Sequence, residues 1–153
     1  MFSKSTEYAL RAVLYIAKYS SADKKIGIET VSTAVGSPKS FTAKVLQKLT
    51  KNNCLINSVS GPNGGFFLTE EAKKTSMLRI LEILEEEHVI TKCVLGLQEC
   101  SDVNPCPMHN RYKLIKPLLI DMFENKSIQD VLNELTDSSI TLIDVQDIRI
   151  THK

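Results

Sequence analysis

Three thiols and an imidazole lie within 17 residues of one another: Cys93, Cys100, Cys106 and His109, spaced Cys-x6-Cys-x5-Cys-x2-His through CVLGLQECSDVNPCPMH. Thiolates are soft ligands that select iron–sulfur clusters, zinc or copper(I). Zinc sites usually space their cysteines by two to four residues. Gaps of six and five suit a loop wrapped around a larger object such as a cluster. Gly96 and Pro105 let the segment turn instead of running as a helix. His109, three residues beyond Cys106, completes a Cys3His set. The same residues admit two other chemistries, a metal-free switch in which Cys93, Cys100 and Cys106 form a disulfide and a zinc-bound structural module. The fourth cysteine, Cys54, reads as a small buried hydrophobe in a strand. Catalysis is not expected, because this nucleophile–histidine cluster lacks an evident acid partner and oxyanion loop.

The elements that position this segment follow from the rest of the chain. At 153 residues it fits one domain, or a small domain with an oligomerisation appendage. No run of about 18 apolar residues is present, so no membrane span is expected. The start, MFSKSTEYALRAVLYIAKYS, interleaves Lys4, Glu7, Arg11 and Lys18 among apolar residues and reads as an amphipathic helix over Ser3 to Ser20, not a signal peptide. A cytoplasmic location is expected, where cysteines serve metals or redox chemistry more than structural disulfides. Net charge is +1, but residues 1–60 carry nine Lys/Arg against three Asp/Glu and the remainder ten against fifteen. A basic front half with an acidic body is the electrostatic footprint of a head that binds nucleic acid.

Within that front half, IETVSTAVG predicts a short helix with Ile28, Val31 and Val35 inward, ended by Gly36. Ser37 is expected as the next N-cap and Pro38 as the first helical residue. The following helix, PKSFTAKVLQKLTK, is expected to turn Phe41, Val45, Leu46 and Leu49 inward and to leave Lys39, Ser40, Thr42, Lys44, Gln47 and Lys48 on its outer face. Two short helices joined by a tight turn, the second exposing basic and amide side chains, make a helix-turn-helix. The period then changes: CLINSVS and FFLT read as strands around a turn at Ser60, Gly61, Pro62, Asn63, Gly64 and Gly65. A glycine-rich hairpin tip can approach a phosphate or enter a minor groove. The expected fold is therefore mainly α with a small β-hairpin, a winged helix-turn-helix whose partner is double-stranded operator DNA, with no small-molecule substrate.

TSMLRILEILEEE predicts an amphipathic helix with Met77, Ile80, Leu81 and Leu84 on one face. After the cysteine segment, RYKLIKPLLIDMFEN places Tyr112, Ile115, Leu119, Met122 and Phe123 along one side of a helix that Pro117 must kink or begin. Ser127 to Leu135 reads as one more short helix, and the tail TDSSITLIDVQDIRITHK has a strand-like texture. A head of about 60 residues is marginal alone, so the long late helix is the candidate for homodimer contacts. A dimer would present two recognition helices to a pseudo-palindromic site. The expected partition is a DNA-binding head at 1–87, a cluster-binding loop at 88–110, dimerisation helices at 111–135 and a tail at 136–153.

TEYALRAVLYIA, SPKSFTAKVLQKL, SVSGPNGGFFL and the triple-cysteine loop stand in the order and spacing of a known family. The chain resembles, as far as about Leu135, the bacterial winged helix-turn-helix iron–sulfur transcriptional regulators of the IscR and NsrR type. The resemblance implies a homodimeric DNA-binding regulator, often a repressor, whose long C-terminal helices cross and whose cluster responds to redox change, nitric oxide or iron supply. It implies Cys93, Cys100 and Cys106 as metal ligands. The fourth is His109 in some relatives and a carboxylate of the partner subunit's first helix in others, where Glu7 stands in this chain. Both [2Fe–2S] and [4Fe–4S] clusters fit. This chain departs from the pattern at Ser60, where many relatives carry a basic residue, at Tyr112, where an aromatic that is often tryptophan stands, and at Pro117 within the dimer helix.

Overall fold

A first helix sits at the centre of the molecule because its inward side chains are small. In the computed structural model, which describes residues 1–135 and Leu142, α1 spans Lys4–Tyr19. Ser3 caps it by accepting from the Thr6 amide at 3.2 Å, and Ser20 closes it. Ala9, Ala12, Val13, Ile16 and Ala17 are fully buried, and the alanines let neighbouring helices approach closely. α2 (Ile28–Val35) and α3 (Lys39–Thr50) pack against it and against each other. Gly36, at φ 66°, ends α2 in the left-handed conformation that glycine adopts without strain. Val31 and Val35 of α2 and Val45, Leu46 and Leu49 of α3 complete the helix-turn-helix core.

Two details at α3 correct the sequence reading. Pro38 occupies the cap position and Lys39 is the first helical residue, so Ser37 lies one residue further out. Thr42 is buried and Phe41 is 43% exposed, the reverse of expectation. The Thr42 hydroxyl donates to the Pro38 carbonyl at 3.0 Å and shares a short hydrogen bond with the Ser37 hydroxyl. Burying a hydroxyl is costly only when it lacks a hydrogen-bond partner, and this one has two. Thr42 therefore holds the turn and is withdrawn from the DNA-facing set.

The wing is an antiparallel pair, β1 (Asn57–Val59) and β2 (Gly65–Phe67), in register Asn57–Phe67 and Val59–Gly65. Its second strand also pairs with Ile26, whose amide and carbonyl both bond Phe66. Gly65 is required there: a Cβ at this position would lie 2.8 Å from the Ile26 carbonyl oxygen. Cys54 precedes the strand and is exposed, not buried as expected.

The apolar run after the wing breaks into α4 (Glu70–Lys73), which the sequence reading missed, α5 (Leu78–Ile83) and a 3-10 turn at Glu87–Ile90. Met77, Ile80, Leu81 and Leu84 nonetheless all face the core. α6 runs from His109 to Glu124 straight through Pro117. The proline neither starts it nor ends it, and sits on the exposed side where water can reach the carbonyl its ring leaves without a donor. α7 (Ile128–Glu134) begins with a capping box in which Ser127 and Asp130 bond each other's backbone amides. Ile128 and Leu132 join the same core as α1, and the Ile128 amide bonds the Thr75 carbonyl at 2.9 Å. The hydrophobic core thus crosses from the head into residues 111–135, which enlarges it beyond what the first 60 residues could build. The expected strand-like tail lies outside the described residues.

Candidate metal and nucleic-acid sites

The cysteine segment is anchored at both ends by packing and left open between. Val89 and Ile90 are buried in the turn ahead of it, Cys93 is 1% exposed, and His109 and Tyr112 are buried where α6 begins. Between these anchors Val94, Leu95, Leu97 and Val103 face outward. The fold brings the four expected donors together as two pairs. The sulfurs of Cys93 and Cys106 are 3.5 Å apart, and the Cys100 sulfur lies 3.5 Å from His109 Nδ1. Among the described residues no group of three or more His, Cys, Asp or Glu side chains converges closely enough to hold a single metal ion.

The electrostatics of each pair follow from its surroundings. The Leu95 amide is the main influence holding the Cys93 thiol below its usual range. Hydrogen bonds from Cys106, Leu97 and Gly96 act the same way, and burial works against them. Amides directed at one sulfur favour the thiolate, the form that both metal binding and disulfide exchange require. The Tyr112 phenol is pushed up, first by burial and then by the negative charge that Cys100 and Cys93 would carry.

The second pair carries two residues that sequence reading did not single out. His109 Nε2 contacts Asp102 Oδ1 at 2.8 Å, and Lys113, one turn along α6, reaches the same oxygen at 3.2 Å. His109 foremost, with Lys113, holds the Asp102 carboxyl below the ordinary range. Asp102 is thus the acid partner that the sequence alone did not reveal; a carboxylate two residues after one candidate ligand and seven before another was its only signal. Thiol, imidazole and carboxylate in line also occur at nucleophilic sites, but a carboxylate behind a ligating imidazole is equally the usual support of a metal site. Glu7 stands apart from both pairs and makes an ion pair with Lys4 at 3.3 Å in the first turn of α1.

The outer face of α3 carries Ser40, Phe41, Lys44, Gln47 and Lys48, all exposed. Lys39 is also exposed but is tied to Glu29 of α2 at 2.8 Å, and the lysine in turn lowers the Glu29 carboxyl. Phe41 packs edge-on against Tyr8 with centroids 6.1 Å apart, and Arg11 lies over the Tyr8 ring at 5.1 Å. Ser60, Gly61, Pro62 and Asn63 are exposed at the wing tip, with Gly64 and Gly65 half-buried behind them. No helix among the described residues is long and apolar enough to cross a membrane.

The family model of Rrf2, described as iron-dependent transcriptional regulators, matches residues 2–134. An HTH-type transcriptional regulator of Aquifex aeolicus (strain VF5) is 32% identical over 135 residues, covering 87% of this chain and 92% of the relative. The HTH-type transcriptional regulator IscR of Pectobacterium atrosepticum is 25% identical over 126 residues, covering 82% of this chain and 75% of the relative. Among solved structures, CymR (YrzC), the global cysteine regulator of B. subtilis, superposes with a TM-score of 0.68 at 17% identity, covering 88% of this chain and 97% of that one. At that identity the likeness is one of fold.

Proposed function

The chain belongs to the Rrf2 family of transcriptional regulators; from that premise we propose that it binds operator DNA as a homodimer under the control of an iron–sulfur cluster held by Cys93, Cys100, Cys106 and a fourth ligand. The observation that carries the cluster reading is the gathering of three thiols and an imidazole into two pairs, with backbone amides that favour a thiolate at Cys93. Two pairs suit a two-iron cluster, in which each iron takes two protein ligands, better than a four-iron cluster, in which each takes one. When bound, the cluster supplies a centre that oxidation, nitric oxide or iron shortage can alter.

The chain's own residues link that site to the DNA-reading face. Glu86, at the entrance to the turn before Cys93, accepts from the Ser3 hydroxyl at 2.8 Å, and Phe2 meets Phe123 of α6 edge-on with centroids 5.5 Å apart. Both contacts grip the start of α1, and α1 packs directly on α3. A change in the packing of residues 93–109 would pass through these contacts to the spacing of two recognition helices. A coupling of about 1–3 kcal/mol suffices for regulation. Ser40, Lys44, Gln47 and Lys48 are assigned to the major groove, and residues 60–65 to the backbone or minor groove.

The test is the ultraviolet–visible spectrum of protein purified without oxygen, with iron and sulfide analysis. Broad absorbance between roughly 320 and 460 nm with near-equal iron and sulfide is the expected result. A colourless, iron-free protein that resists reconstitution overturns the cluster reading. Lys44→Ala is expected to weaken binding to duplexes selected from a random pool and to lower the slope of log affinity against log salt by about one. An unchanged slope and affinity remove Lys44 from the interface.

A thiol switch is the second reading, favoured by the 3.5 Å between the Cys93 and Cys106 sulfurs, a short movement from a bond of about 2.05 Å. An oxidant such as a diazene or a peroxide would take two electrons from the two thiols, which release two protons. Metal-free protein would then lose two mass units.

A further inference from the structure

The ring of His109 is held between two side chains of different kinds, and that arrangement determines which nitrogen can serve as a ligand. His109 is 5% exposed at the first position of α6, with Nδ1 toward the Cys100 sulfur and Nε2 toward Asp102 Oδ1 at 2.8 Å. An ionised carboxylate can only accept, so the hydrogen in that contact belongs to Nε2. In a ring that carries one proton, Nδ1 would then face the Cys100 sulfur with its lone pair. Lys113, four residues along the same helix face, braces the carboxylate oxygen at 3.2 Å. The Asp102 side chain is 79% exposed, so these two contacts, not burial, hold it in place.

We infer that Asp102 is a positioning residue which fixes the His109 proton on Nε2 and presents Nδ1 beside Cys100 as the fourth donor to the cluster. The assignment rests on the cluster reading for the word donor, whereas the tautomer can be tested in the metal-free chain. An imidazole that donates its second N–H to a carboxylate is held in orientation and made a stronger base toward a metal. A cleft of about 450 Å³ lined by Cys100, Asp102, His109 and Lys113 opens beside the pair, which gives incoming iron a route to it.

The first measurement uses reduced, metal-free protein labelled with nitrogen-15 histidine. Two-bond proton–nitrogen correlation is recorded above the ordinary histidine range, and the His109 signals are assigned by difference from His109→Gln. The native chain is expected to show His109 as the Nε2–H tautomer, and Asp102→Ala to move it several-fold toward a mixture. Lys113→Ala, which leaves the carboxylate in place, is expected to act in the same direction with a smaller shift. An Nδ1–H tautomer in the native chain, or the same tautomer with and without Asp102, overturns the inference.

The second measurement is pulsed paramagnetic resonance of the reduced, iron-loaded protein. A strong nitrogen coupling that persists in Glu7→Gln and vanishes in His109→Gln supports the ligand assignment. In Asp102→Ala the coupling is expected to change while iron and sulfide per chain stay within about twofold of native. Loss of the coupling in Glu7→Gln overturns the assignment. Iron-free native protein with the Nε2–H tautomer intact would refute the cluster and the donor role together while leaving the positioning contact standing, so the two failures are told apart.

Discussion

Replacing Cys93 by serine is expected to strip the protein of iron and sulfide while leaving its helical content and its head intact. Cys93 is the most enclosed of the three candidate thiols, and the amides that follow it in the loop hold it below the usual thiol range. Serine has almost the same shape, so packing against the buried turn is disturbed little. Its hydroxyl, however, does not ionise near neutral pH and offers a hard oxygen in place of a soft sulfur. The amides would then stabilise an anion that never forms. Iron and sulfide should fall at least tenfold from native, read on protein purified without oxygen, with far-ultraviolet circular dichroism as the control for folding. Full iron content in the serine variant would remove Cys93 from the ligand set. Under the metal-free reading iron is absent from both proteins, and the variant instead fails to lose two mass units on oxidation. The same substitution therefore discriminates between the two chemistries.

Leu118→Glu is expected to convert a dimer to a monomer and to cost about 10²- to 10⁴-fold in apparent affinity for a two-fold symmetric operator. Tyr112 and Phe123 anchor one side of α6 to the molecule. The other side presents Leu114 at 71%, Leu118 at 69% and Met122 at 50% exposure, spaced at i, i+4 and i+8, with Ile115 at 51% beside them. A stripe of this kind on a helix is the signature of an interface with another chain, and a second copy offering the same stripe gives a closed, symmetric contact. A glutamate at its centre would place two like charges in the apolar seam. Because the site is exposed in the single chain, the monomer should fold normally. Light scattering after size exclusion gives the mass, and a titration on symmetric duplex DNA gives the loss of affinity. A variant that remains dimeric would place the interface elsewhere.

The expected dimer face shows both the reach and the failure of periodicity. Spacing puts Tyr112, Ile115, Leu119, Met122 and Phe123 on one side of α6, yet Tyr112 and Phe123 are buried while Ile115 and Met122 face outward. An apolar helix with two partners carries two faces, and a count of apolar spacings does not divide them between partners. The exchange of Phe41 and Thr42 has a related cause. Adjacent helical positions point about 100° apart, and hydropathy ranks phenylalanine inside and threonine outside. The Ser37 hydroxyl and the Pro38 carbonyl reverse that order by satisfying the threonine, a local contact no periodicity records.

What the sequence determined by itself was the order of elements: the amphipathic first helix, the glycine-ended α2, the paired wing strands around Gly61 to Gly65, and a segment dense in soft ligands ahead of the long helix. These follow from local rules of capping, turn chemistry and hydrophobic spacing, which act within a few residues. Tertiary structure alone decided which donors stand together. Cys93 and Cys106 are thirteen residues apart in sequence and 3.5 Å apart in space. Asp102, which no motif marks, reaches His109 because the loop folds back on the start of α6, and Lys113 one turn further along holds the carboxylate. Loop backbone without a repeating pattern leaves no period to read, so its contacts are set by the buried anchors at its two ends.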